Sequence, residues 1–214
     1  NVKIGVVGFS SLDASKGERE GTINDAQLIS DLSNSQSEVS QAIATLGNSE
    51  TGPRTNIEAG LTIAQNSFSD EPDTNRYIVL LTDGVPNNAT DGTYATYSGT
   101  VATRTKAKLE EIQAQGVEII GAMINLPADT VEPTTQRTYR ELAEEIFGTA
   151  ENPTTDVFYY VSDSQIEDTI VNDIYNNLRV VTDNTLRNIT ITDYFPQEII
   201  DNFNFEYVAT PNIG

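Results

Sequence analysis

Two side chains of this 214-residue chain stand where chemistry is possible: the hydroxyl of Thr55 and the carboxylate of Asp83. Asp83 follows an apolar run, Tyr77–Leu81, and precedes Gly84 and Pro86. Gly and Pro end a strand, so the carboxylate is left at its C-terminal tip. In open α/β sheets that edge is where ligands bind. Thr55 precedes Ile57, Leu61, Ala64 and Phe68, which are spaced for one helix face. A hydroxyl at that helix start would sit beside the Asp83 tip. Each residue also has a plainer reading. Asp-Gly is a common turn pair, and either Thr55 or Asn56 makes a good helix N-cap.

Composition narrows the chemistry. The chain contains no Cys and no His. That excludes disulfides, thiolate sites and a Ser-His-Asp triad built from this chain. Any bound metal must be a hard cation held by oxygen: Mg²⁺, Mn²⁺ or Ca²⁺. Lys and Arg number 12 against 32 Asp and Glu, a formal charge of −20. Nucleic-acid binding needs clustered cations, so that class is excluded, and an anionic membrane surface is disfavoured. Acidic charge suits divalent cations and basic partners, and most of it serves solubility. No stretch approaches about 20 apolar residues, the length of a membrane span. The chain opens directly in a strand without a basic or apolar leader, as a fragment or processed form would.

The elements that must position Thr55 and Asp83 follow from periodicity. Apolar runs at Val2–Phe9, Tyr77–Leu81, Val117–Ile124 and Val157–Val161 read as strands, Val2–Phe9 as a buried one and Tyr77–Leu81 as one buried on both faces. Residues 12–22 read as a polar loop. Its Asp13–Gly17 stretch lacks the alternating acidic ligands of a calcium loop. Helices are expected over Ile23–Leu32, Val39–Leu46, Asn56–Phe68, Val101–Gln115, Thr138–Phe147 and Gln165–Leu178. Gly116 sits where a helix C′ glycine belongs. The polar loop after Asp83 carries Tyr94 and Tyr97. Strands alternating with helices imply an α/β fold with a doubly wound, mostly parallel sheet flanked by helices. From Val180 the period changes. Leu186–Thr192 and Asn202–Val208 alternate apolar and polar, as antiparallel strands with one wet face do. The expected organisation is a first domain over residues 1–178. A β-rich extension, or the start of an Ig-like β-sandwich, follows over residues 179–214.

Several stretches, in order, resemble a von Willebrand factor type A domain: VKIGVVGFS from Val2, RTNIEAGL from Arg54, IVLLTDGVPN from Ile78, and the strands at Gly116–Ile124 and Val157–Asp163. The resemblance implies a metal-ion-dependent adhesion site at the C-terminal edge of the sheet. That site is similar to a Mg²⁺ centre built from an Asp-x-Ser-x-Ser loop, a Thr and a second Asp. Thr55 matches the Thr and Asp83 the second Asp. An open coordination position would then accept a partner's carboxylate. The family's first strand and its Asp-x-Ser-x-Ser loop should precede Val2, so the cofactor depends on residues upstream of Asn1. Asp183–Arg187 imitates that loop poorly, with Arg where a hydroxyl is needed. Without the first strand, the sheet should carry an open seam that something fills.

Within the family, the lack of Cys and the β-rich tail look like bacterial surface proteins such as pilus-tip adhesins. The tail has no Lys after Lys108, so it cannot supply a Lys–Asn isopeptide crosslink alone. Asn88-Ala89-Thr90 and Asn188-Ile189-Thr190 are glycosylation sequons, which arise often by chance. The leading functional expectation is a non-enzymatic adhesion or interaction module at a cell surface or outside the cell. Its partner would be a protein or host-surface ligand offering a carboxylate. The alternative is a structural subunit of a surface filament with a degenerate metal site. A subunit working beside an ATPase is disfavoured by the tail, and the chain has no phosphate-binding G-x-x-x-x-G-K-[ST] loop. A phosphatase using Asp83 would need D-x-D spacing, which is absent.

Overall fold

A computed structural model describes residues 2–10, 25–47, 54–69, 74–93, 99–125, 129–133, 135–149, 151, 154–155, 157–165, 168, 172 and 174. The chain divides into two compact units, Asn1–Ile170 and Val171–Gly214. The expected loop at residues 12–22, Tyr94 and Tyr97, the Asp183–Arg187 stretch, the second sequon and both tail strands lie outside the described residues. So does most of the helix expected over Gln165–Leu178. A 3₁₀ turn, Asp163–Gln165, occupies its start. There the Ser162 hydroxyl donates to Gln165 Oε1 at 2.7 Å.

Strands β1 (Ile4–Phe9) and β2 (Ala26–Ser33) pair antiparallel in one sheet. Helices α1 (Gln36–Gly47) and α2 (Ile57–Asn66) follow. A second, parallel sheet runs β3 (Arg76–Thr82), β4 (Val117–Ile124), β5 (Val157–Val161). Helix α3 (Gly99–Gln113) joins β3 to β4, and α4 (Tyr139–Phe147) joins β4 to β5. The α/β class and the parallel, helix-flanked sheet agree with the expectation from sequence.

Two expectations change. Ile23–Leu32 was expected to be helical; residues Ala26–Ser33 instead form β2. Ala26, Leu28, Ser30 and Leu32 alternate with Gln27, Ile29, Asp31 and Ser33, so the stretch also fits period 2. Pairing with β1 satisfies backbone groups that β1 would otherwise leave open. The second change is in β3. Its apolar run is not buried on both faces. Ile78 and Leu80 are in the core, whereas Val79 is 41% and Leu81 39% exposed. In α1, likewise, Ala42 is buried and Ile43 is exposed.

One core joins the parallel sheet to α2, α3 and α4: Ile57 and Leu61, Leu109 and Ile112, and Leu142, Ile146 and Phe147 meet Ile78, Leu80, Ile119 and Met123. Parallel pairing places Leu80 beside Gly121 and Gly121 beside Phe158 on the same face. The Phe158 ring stacks on Phe147 with centroids 4.6 Å apart. A methyl group at Gly121 would lie 2.9 Å from the Phe158 ring, so glycine there makes room for the aromatic pair. Helix α4 begins with a capping box. Thr138 Oγ1 accepts from the Glu141 N–H, and the Glu141 carboxylate accepts from the Thr138 N–H. Gly116 adopts φ +78 in the turn after α3, a left-handed conformation suited to glycine.

Gly121→Ala is expected to destabilise the domain by about 1–3 kcal/mol through overpacking. Urea unfolding measures this; an unchanged midpoint would contradict the tight Gly121–Phe158 contact.

Candidate metal centre

The start of α2 builds the site. Asn56, fully buried, is the N-cap, and its Oδ1 accepts from the Ala59 N–H at 3.1 Å. The cap role therefore falls to Asn56, which releases the Thr55 side chain. Asn56 Nδ2 also donates to Asp25 Oδ2 at 2.8 Å. Asp25 immediately precedes β2, and its carbonyl accepts from the Ser10 N–H just past β1. One side chain thus ties α2 to the end of the β1–β2 pair.

The turn after β3 is made by Thr82. Its buried hydroxyl donates to the Gly84 carbonyl at 2.8 Å and accepts from the Gly84 N–H at 3.3 Å. That folds the chain back at once and leaves Asp83 exposed at the tip. The following loop is stapled to Thr55. The Thr55 N–H donates to Asn87 Oδ1 at 2.9 Å, and the N–H groups of Asn87 and Asn88 donate to the Thr55 carbonyl at 3.1 and 3.2 Å. These bonds use the backbone of Thr55 and leave its hydroxyl facing Gly84. A Cβ at residue 84 would lie 3.0 Å from Thr55 Oγ1. The two residues singled out from sequence are thus brought to one rim.

A second set of bonds fixes the far side of the same loop. Glu58, nearly buried on α2, accepts from Arg104 Nε at 3.1 Å and Nη2 at 2.7 Å, a forked pair, and from the Thr90 N–H at 3.0 Å. Arg104 also reaches Thr90 Oγ1 at 3.1 Å and pairs with Asp91 at 3.2 Å. Hydrogen bonds from Thr93, side chain first and then backbone, and the Arg104 charge hold the Asp91 carboxyl below its ordinary value of 3.8. The loop from Asp83 to Thr93 is therefore pinned to α2 and α3 at both ends. Sequence reading missed Thr82, Asn87, Glu58 and Arg104. Only the T-D-G turn pattern carried a local signal, for Thr82; the Asn87–Thr55, Glu58–Thr90 and Glu58–Arg104 contacts join residues 32 or more positions apart.

A hydroxyl and a carboxylate at one rim are hard oxygen donors, suited to Mg²⁺, Mn²⁺ or Ca²⁺. They are two donors, and Mg²⁺ prefers six ligands, some of them water. Among the described residues no group of three or more Asp, Glu, His or Cys could hold an ion. Thr55 and Asp83 are of the donor type a hard cation takes, and any such ion would need further ligands from water or other residues.

This is a doubly wound α/β domain with its candidate site at the C-terminal edge of the sheet, the place where that class binds ligands. The chain belongs to the von Willebrand factor type A domain family, whose sequence profile matches residues 1–175. Domains of this family are typically non-enzymatic interaction modules. No curated protein matches the chain. Among solved structures it is similar to the pilus adhesin SpaC from Lactobacillus rhamnosus GG, at 15% identity and a TM-score of 0.52. That likeness covers 74% of this chain and 22% of the adhesin. The conserved hypothetical protein BatB from Bacteroides thetaiotaomicron matches at 15% identity and a TM-score of 0.50, covering 83% of this chain and 79% of that one. A looser likeness, TM-score 0.46 at 15% identity, joins 78% of this chain to 32% of proximal thread matrix protein 1 from the mussel byssus, a structure with a zinc-occupied MIDAS motif. At this identity the first two likenesses speak for the fold.

Arg104→Ala leaves the Glu58 carboxylate buried without its cation and should cost about 1.5–3 kcal/mol in urea unfolding. A loss below a few tenths would contradict the pinning role. Because the folded-state pKa of Asp91 is lowered, its stabilising contribution is present above the ordinary carboxylate range and is lost as pH falls through the lowered value. Asp91→Asn should remove that part of the acid-side decline; an identical pH profile would contradict the assignment.

Proposed function

We propose that the chain is a divalent-cation-dependent adhesion module of a cell surface or extracellular filament. Thr55 and Asp83 would supply two of the metal's ligands. The observation that carries this reading is the Thr55 hydroxyl lying against Gly84, beside the exposed Asp83. Thr82 aims the Asp83 turn outward, and Asn87 keeps Thr55 in register with it. A bound Mg²⁺, Mn²⁺ or Ca²⁺ would supply a charged centre to which a partner's carboxylate can add. A rim already held by protein–protein hydrogen bonds loses little conformational entropy when a partner docks, which favours affinity.

Family membership and the fold shared with a pilus adhesin support an interaction role and a surface or extracellular location. The charge of −20 argues against nucleic acid as the partner. Among the described residues, no helix is long and apolar enough to cross a membrane. We propose residues 1–178 as the first domain and residues 179–214 as a β-rich extension or the start of an Ig-like β-sandwich domain. The second reading is a filament subunit with a degenerate site. It is favoured by the absence of a three-membered acidic cluster among the described residues.

The two readings part under chelation. An adhesin loses partner binding in EDTA, regains it with Mg²⁺, and loses it irrecoverably in Asp83→Ala. A structural subunit keeps its assembly in every case, and that outcome would overturn the proposal. Gly84→Ala should also weaken Mn²⁺ binding, by about tenfold, because its methyl group presses on the Thr55 hydroxyl. Mn²⁺ titration followed by paramagnetic resonance reads this; unchanged affinity would place the ion elsewhere.

A further inference from the structure

A groove of about 520 Å³ lies between β2 and α1. Five consecutive strand residues, Ile29–Ser33, line one wall. Side chains of a strand alternate between its faces, so an edge is what turns five in a row toward one groove. β1 takes the other edge of β2, and among the described residues β2 pairs with no further strand. The opposite wall is one helix face, because Glu38, Gln41, Ala42 and Thr45 recur at spacings of three and four. Five residues give about 16 Å of strand edge.

The groove is separate from the Thr55–Asp83 rim. Asp25, bonded to Asn56 at the start of α2, immediately precedes β2. The strand runs away from there, and Ile29 lies four residues, about 13 Å, further along. The charge of the groove is one-sided. Asp31 and Glu38 are exposed on its two walls, and no Lys or Arg lines it. The Ser33 hydroxyl donates to the Glu38 carboxylate and holds it at the strand edge. Edge strands are commonly guarded by Lys, Pro or other charges. β2 has neither Lys nor Pro, and its one charge is Asp31. A lone acid repels an acidic strand and admits a basic one.

We propose that this edge is a second interaction surface, which takes an extended basic segment of a partner protein by strand addition. The segment's main chain pairs with Ile29–Ser33, and its Lys or Arg side chains meet Asp31 and Glu38. Charge selects this occupant. A second copy would set Asp31 and Glu38 against their own kind, on a chain of net charge −20. Residues 179–214 hold two Arg and five Asp or Glu, the wrong balance for this edge. The inference does not use the metal reading and stands or falls apart from it.

A fluorescein-labelled peptide of alternating Val and Lys, added to the 214-residue chain in EDTA, is the probe. Fluorescence anisotropy should show saturable binding at least tenfold tighter than that of a Val–Glu peptide. N-methylating the amides along one edge of the probe keeps its charge and removes its pairing hydrogens, and should weaken binding about tenfold or more. Asp31→Lys should weaken it about threefold or more. Glu38→Lys provides a second site, on α1. Glu110→Lys makes the same charge change on an exposed position of α3 and should have a smaller effect. Bound probe should also slow amide hydrogen exchange within Ile29–Ser33. Absence of binding overturns the proposal. So do an N-methylated probe that binds equally well, or equal losses from the three Lys variants, since either means general charge attraction. Binding that needs Mg²⁺ would belong to the rim and also overturns it.

Discussion

Two β-sheets are held in one domain by the first turn of helix α2. Among the described residues no strand pairing joins β1–β2 to β3–β4–β5. The tie is made instead at residues 55–61. Asn56 caps the helix with one end of its amide and grips Asp25 with the other. Gly60 lets the Phe9 ring approach closely, while Ile57 and Leu61 enter the core of the parallel sheet. A buried amide with both ends bonded is costly to disturb, because either partner would be left unsatisfied. The same turn carries Thr55, so what joins the sheets also places the candidate ligand.

The rim follows from that constraint. The backbone of Thr55 is consumed by Asn87 and Asn88, and its hydroxyl is left at Gly84. Thr82 sets the direction of Asp83 from below, and the Glu58–Arg104 fork holds the loop from its far end. Membership of the von Willebrand factor type A domain family agrees with an interaction role.

Much of this was legible in the sequence where one local signal dominated. Thr55 and Asp83 stood out because a strand end and a helix start are both marked by residue type. The α3 stripe of Ala102, Leu109 and Ile112 and the α4 stripe of Leu142, Ala143 and Ile146 are buried as their spacing implied. β2 stands where a helix is expected because its eight residues fit period 2 and a short helix equally well, and pairing with β1 decides between them. Val79 and Leu81 were expected inside because an apolar run does not reveal which face finds a cover. Asn87, Glu58 and Arg104 were invisible because their partners are remote in sequence.

The central claim is that Thr55 and Asp83 form one side of a hard-cation site. The most direct measurement is anomalous scattering from crystals of the protein grown with Mn²⁺. The account predicts a peak at the rim, bonded to Thr55 Oγ1 and the Asp83 carboxylate directly or through one water, at metal–oxygen distances of about 2–2.5 Å. A rim without a peak, in crystals that bind Mn²⁺ elsewhere, would contradict it.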